Sequence, residues 1–128
     1  MLRQILSKSL EKKQKYLIFS NIVKCRPPQN RTPTEEECQK CSTKFLILEL
    51  QKIQPNFILC AGKTSYNTII KIFNIKNLDK QWTFQIFQKE NTKILSFYHP
   101  SFLLYQTIER RNWLTNKTIN FIKSNINF

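Results

Sequence analysis

Three groups of residues in this chain have the types and spacing that chemistry needs. His99 is the only histidine. It follows an apolar run and opens the segment His99-Pro100-Ser101-Phe102-Leu103-Leu104, in which the proline fixes the backbone. An imidazole there can donate a hydrogen bond or a proton near neutral pH, although a lone histidine is more often structural. The apolar trio behind it can wedge into a base stack, or can simply begin a helix that faces the core. Cys25, Cys38 and Cys41 form the second group, the last two as a C-x2-C on the first turns of a helix. Three thiolates hold zinc or iron only if a fourth ligand comes from elsewhere, so spacing alone leaves a metal site and buried free thiols both open. Cys60 lies in an apolar run and reads as core. The third group, Gly62-Lys63-Thr64, follows a strand and invites a phosphate-loop reading. That loop needs a glycine five positions before Gly62, where Phe57 stands. A tight strand-to-helix turn is left, whose helix N-terminus can hold one anion.

The elements that position these groups follow from apolar spacing. Leu2, Ile5, Leu6 and Leu10 share one face of a helix over residues 2–13. Residues 16–23 (YLIFSNIV) form a continuous apolar run of strand length, suited to a strand buried on both faces of a parallel sheet. A basic, proline-rich stretch follows, and then Thr32-Pro33-Thr34-Glu35 predicts a helix start with Thr32 as cap and Glu35 completing a capping box. That helix is expected to reach about Lys52 with Cys38, Cys41, Phe45 and Leu48 inward. Residues 57–60 read as a second buried strand and about 63–74 as a helix carrying Tyr66, Ile69, Ile70 and Phe73. Residues 82–87 suggest a short strand and 94–98 a better one. From Ser101 onward the pattern is helical, with Trp113, Ile119, Phe121 and Ile122 expected inside. The order α-β-α-β-α-β-β-α implies a single α/β layered domain. Sites in such sheets form at the C-terminal ends of strands, where residues 21–31, 61–64 and 98–104 are expected to converge.

Composition bounds the partners. The 128 residues suffice for one core, and 41% hydrophobic content excludes a fully disordered chain. No apolar run is long enough to cross a membrane as a helix. Lys and Arg number 21 against 8 Asp and Glu, a net charge of +13. A field of that size favours a polyanion, which means nucleic acid before an acidic membrane surface. There are 16 Ile, 16 Lys and 12 Asn but one Gly, one Ala and one Val, a bias of the kind AT-rich codons produce. Four cysteines without a secretory signal point to a reducing compartment. The basic, acid-free opening has a mitochondrial-presequence look, but reads as a retained first helix.

The stretches SNIVKCRPPQNRTPTEEECQKC, FILCAGKTS and YHPSFLL resemble the C-terminal half of the iron–sulfur, family-4 type of uracil-DNA glycosylase, over roughly residues 14–105. The resemblance implies a glycosylase α/β fold: a truncated three-layer domain with a small, mainly parallel sheet flanked by helices. Asn21 then matches the asparagine that reads the uracil edge after base flipping. His99 matches the histidine that stabilises the departing uracil anion. Pro100, Ser101 and the leucines match the loop pressed into the minor groove. Cys25 and Cys41 match the last two of four cluster ligands. The first two ligands, the acidic loop that positions water and the aromatic that stacks on uracil have no counterpart before Asn21, where Glu11 is the only acid.

The expectation drawn from these observations is a non-catalytic, basic nucleic-acid-binding subunit of a larger assembly, in first place an organellar ribosomal protein in the mitochondrial matrix derived from a glycosylase. The alternatives are a uracil-DNA glycosylase completed by a separate N-terminal chain, and a cytoplasmic location in an AT-rich organism. RNA is the favoured ligand and DNA the alternative. Phosphate contacts are expected from Lys12, Lys13, Lys24, Arg26, Arg31, Lys63, Ser101, Arg110 and Arg111. Protein partners should cover the missing half. Zinc or an iron–sulfur cluster on Cys25, Cys38 and Cys41 is expected only if a partner donates ligands.

Overall fold

The computed structural model of the chain describes residues 1–12, 17–21, 29, 31–77 and 81–126. Six α-helices and three strands occur among them: α1 (Leu2–Leu10), α2 (Glu35–Cys41), α3 (Ile47–Ile53), β1 (Phe57–Ala61), α4 (Lys63–Ile72), β2 (Ile86–Lys89), β3 (Thr92–Phe97), α5 (Pro100–Leu104) and α6 (Ile108–Asn125). The sheet has order β1-β3-β2. β1 runs parallel to β3 with Phe57 opposite Lys93 and Ala61 opposite Phe97. β2 and β3 form an antiparallel hairpin, turned by Glu90 and Asn91, with Glu90 at φ 53°.

Strand alternation sorts the core into two faces. Ile94 and Cys60 pack with Leu46, Tyr66 and Ile69 on one side. Phe97 packs with Ile5, Leu6 and Leu10 of α1, with Leu103, and with Leu114 and Ile122 of α6 on the other. The result is the expected α/β arrangement of helices on both faces of a small sheet, in this case a mixed one. Buried hydroxyls are satisfied locally, as where Thr118 Oγ1 donates to the Leu114 carbonyl at 2.8 Å. No buried side-chain polar atom among the described residues lacks a partner.

The structure departs from the sequence expectations in five places. Residues 17–21 form no strand, and Ile18 and Phe19 are exposed; most of the rest of the 16–23 run lies outside the described residues. A strand exists only where a neighbour pairs with it, and an apolar run does not name that neighbour. The helix start is two residues late: Thr34 Oγ1 accepts from the Glu37 amide at 3.2 Å and donates to the Glu37 carboxylate at 3.1 Å, so the cap is Thr34. Between α2 and α3 the helix passes through a π turn, Ser42–Leu46. The wider turn adds a residue and rotates everything after it. Phe45 and Leu48, expected inward, are therefore exposed, and Leu46 is buried in their place.

The strand expected at 82–87 is β2, displaced to Ile86–Lys89. Its expected first half is a bend held by Ser96, whose Oγ accepts from the Gln85 amide at 3.1 Å and donates to the Trp82 carbonyl. Finally, the C-terminal helix is broken into α5 and α6. Thr107 starts α6 by accepting from the Arg110 amide at 3.3 Å, and the buried stripe becomes Leu114, Thr118 and Ile122. Trp113, one position off that stripe, is 59% exposed.

Candidate functional site

Parallel pairing brings the C-terminal ends of β1 and β3 side by side, the place where such sheets present their chemistry. The Gly62 amide donates to the Phe97 carbonyl at 2.9 Å, which locks the turn after β1 to the end of β3 two residues before His99. Gly62 has φ 103° and ψ 164°, a region open essentially to glycine alone. A Cβ on it would lie 3.2 Å from the His99 Cβ. The single glycine of the chain thus stands where backbone must pass close beneath the histidine.

His99 caps α5. Its Nδ1 accepts the Ser101 amide hydrogen at 3.1 Å and lies 2.7 Å from the Ser101 Oγ. A nitrogen that accepts from a backbone N–H carries no proton of its own. The neutral ring is therefore the tautomer with hydrogen on Nε2, inferred from the hydrogen-bond partners. Pro100 at the first helical position is buried and fixes the turn. The exposed imidazole consequently presents one N–H donor outward at the edge of the sheet. Tyr98, just before it, stacks on Phe102 with centroids 4.5 Å apart.

The apolar trio divides. Leu103 is fully buried in the core, while Phe102 and Leu104 are 37% and 55% exposed, beside Tyr105 at 88%. Both readings of the trio hold, each for different side chains: one leucine anchors α5 and its neighbours face solvent next to His99.

Of the three segments expected to converge, residues 61–64 and 98–104 do so, and all of 21–31 except 21, 29 and 31 lies outside the described residues. Asn21 is exposed and outside any helix or strand, and no hydrogen bond joins it to His99. Among the expected cations, Lys12, Lys63 and Arg110 are exposed, Lys63 directly after Gly62. Ser101 is exposed but its amide and hydroxyl are both turned to the His99 ring. Arg31 pairs with Glu37 at 2.6 Å. Arg111 donates from Nε to the Leu103 carbonyl at 3.0 Å and from Nη2 to the Leu104 carbonyl at 2.9 Å, which satisfies the open end of α5. Lys13, Lys24 and Arg26 lie outside the described residues.

Two of the three candidate thiols lie on α2. Cys38 is buried and Cys41 half-buried on α2, and Cys25 lies outside the described residues. Burial raises the Cys38 thiol above its usual range, partly offset by a hydrogen bond with Thr68. Burial alone pushes Cys60 up to about 12, as fits a core thiol. No three His, Cys, Asp or Glu side chains among the described residues converge on a point a metal ion could occupy.

Four of the carboxylates are paired with cations. Glu35 is held below the usual carboxylate range by its hydrogen bond and charge contact with Lys71, and Glu37 by its hydrogen bond to Arg31. Glu36 pairs with Lys40 at 3.2 Å and Glu11 with Lys123 at 3.7 Å. The feature that sequence reasoning missed is on α6. Trp113 was assigned to the core from helical spacing, yet its ring faces solvent with the Lys117 ammonium 5.1 Å from its centroid. Its place between Arg110 and Lys117 at i, i+3 and i+7 was the available signal.

The chain is similar in sequence to known proteins. The chain is 33% identical to the type-4 uracil-DNA glycosylase of Archaeoglobus fulgidus over 93 residues, 69% of this chain and 46% of that protein. It is 33% identical to the type-4 uracil-DNA glycosylase of Saccharolobus solfataricus over 113 residues, 82% of this chain and 50% of that protein. With the type-4 uracil-DNA glycosylase of Thermotoga maritima it shares 34% identity over 89 residues, 66% of this chain and 43% of that protein. The chain thus spans about half the length of the curated relatives it matches. The family model described as the uracil DNA glycosylase superfamily matches residues 1–123. By that match the chain belongs to the uracil DNA glycosylase superfamily.

Proposed function

We propose that this chain carries the leaving-group side of a uracil-DNA glycosylase site, and that DNA rather than ribosomal RNA is its ligand. The scaffold reading rests on the unmatched catalytic half, the +13 charge and the AT-rich composition; the relatives favour excision. The observation that carries the proposal is the Ser101 amide on His99 Nδ1, which commits the outward Nε2–H as a donor.

Cleavage of the glycosidic bond leaves the electron pair on the pyrimidine, and negative charge spreads to its carbonyl oxygens. A preset N–H donor aimed at one of those oxygens is stronger in the transition state than in the ground state, so it accelerates the step. Gly62 lets backbone and ring come together so that the donor does not wander. Phe102, Leu104 and Tyr105 offer the exposed apolar surface that props a duplex or strand open while a base is out of the stack. Lys63 and Arg110 supply phosphate contacts. Asn21 is assigned to the uracil edge on the strength of the family resemblance. The water-activating carboxylate is assigned to polypeptide other than the described residues, whose Glu11, Glu35, Glu36 and Glu37 are held by lysine or arginine.

The test is release of uracil from a single-stranded oligonucleotide bearing one uracil by the chain together with the polypeptide that completes the site, with wild type and His99→Ala. Release that falls by 100-fold or more in His99→Ala supports the proposal. No release from wild type, together with tight binding of ribosomal RNA, would return the protein to the structural role.

A further inference from the structure

Trp113 has no packing role that explains it. An indole 59% exposed on an eighteen-residue helix is unusual, because so large an apolar surface is ordinarily covered. One face of the ring is taken by the Lys117 ammonium, 5.1 Å from its centroid. The same ammonium lies 4.6 Å from the Phe84 centroid, so it is held between two aromatic rings. No other ring or cation contacts Trp113 among the described residues, which leaves its second face open. Arg110 lies three residues earlier on the same side of α6, exposed.

The stripe is continuous with the His99 site. From Lys117 the contacts run to Phe84, then to Tyr98 at 6.0 Å between centroids, then to Phe102, stacked at 4.5 Å. Tyr98 is the residue before His99. At the other end, Arg111 fastens the start of α6 to the carbonyls that close α5. Trp113 is therefore placed by a chain of rigid contacts relative to the site and is not on a loose surface.

We infer that Trp113, with Arg110 and Lys117 beside it, is a stacking platform for a base of single-stranded nucleic acid that flanks the position served by His99. Three features favour this ligand over a protein. Lys117 stands against the ring and Arg110 lies one turn before it on α6, the whole chain carries +13, and a flat aromatic face next to phosphate-binding side chains is the arrangement by which single strands are held without sequence preference. An indole already polarised by an ammonium keeps its free face for a base and gives the ammonium to the adjoining phosphate. The inference rests on the proposed function for the position that His99 serves, while the binding it calls for needs no uracil.

The experiment uses the full chain and a twelve-nucleotide oligothymidylate without uracil, followed by tryptophan fluorescence and by anisotropy of an end label. Trp82 is half-buried and Trp113 is the exposed indole, so binding should quench emission, and Trp113→Phe should abolish most of the quench while holding affinity within about threefold. Trp113→Ala should weaken binding roughly 5- to 100-fold with the salt slope unchanged. Lys117→Gln and Arg110→Gln should each lower the slope of log Kd against log salt by about 0.7. Binding by Trp113→Ala within twofold of wild type overturns the inference. So does a loss in Trp113→Ala that comes with a reduced salt slope, which would mean that the ring merely holds Lys117.

Discussion

Replacing Gly62 by alanine tests the geometry of the site without touching any functional side chain. Two costs follow from the structure. The backbone at φ 103° and ψ 164° is strained for any residue with a Cβ, by about 1–3 kcal/mol. The new methyl group would also stand 3.2 Å from the His99 Cβ, so the ring must give by a few tenths of an ångström or the turn must open. The amide that binds the Phe97 carbonyl is retained in alanine, so no hydrogen bond is deleted and the whole loss is conformational. For a domain of this length about 3–5 °C of Tm accompanies each kcal/mol, so thermal melting should fall by about 3–15 °C. A second readout separates strain from displacement: the His99 ring nitrogens, followed by two-dimensional NMR, should report a changed Nδ1 environment. Asn67→Ala, an exposed position on the same helix, should leave both unchanged. A Gly62→Ala protein that melts with wild type, its His99 signals unmoved, would refute the claim that this glycine sets the histidine.

The other expectations pair a side chain that holds the fold with one that faces the ligand. Leu103→Ala should cost about 2–5 kcal/mol in chemical denaturation, because the side chain is fully buried, whereas Leu104→Ala should leave stability within about 0.5 kcal/mol and weaken DNA binding. Arg111→Ala should destabilise by about 1.5–3 kcal/mol through the loss of charged hydrogen bonds to α5, while Arg110→Ala should be silent in a melt and visible in a salt titration of binding. The carboxyls of Glu35 and Glu37 titrate lower folded than unfolded, so their contribution is present above the unfolded value and disappears as the pH falls through the folded one. Faster amide exchange in α2 below about pH 4, without global unfolding, is the expected sign.

How far the sequence spoke for the fold depended on whether local spacing or a distant partner decided each element. Residues 57–60 were legible as a strand because a short apolar run between Pro55 and Gly62 has few alternatives. The first helix was legible because Ile5, Leu6 and Leu10 repeat at helical spacing. The π turn was not, since no residue type marks where a helix takes up an extra residue, and with it went the facing of Phe45 and Leu48. Trp113 was misread because spacing treats every large apolar side chain as core; the buried stripe instead follows from where Thr107 starts α6. At the site, His99-Pro100-Ser101 stood out by residue type, but the role of Gly62 beneath the ring required two strands to be laid side by side. The tautomer likewise depends on a backbone amide, which no side-chain pattern encodes.

The position of β1 at the border of the sheet has a consequence for handling the protein. Its residues, Phe-Ile-Leu-Cys-Ala, include neither lysine nor proline, the usual deterrents to lateral pairing, and β3 is its neighbour among the described strands. Mutual repulsion between copies, each with a +13 surplus, opposes such pairing. Because dissolved ions shorten the reach of that repulsion to about 8 Å at physiological strength, added salt should loosen this chain from DNA and at the same time draw its copies together.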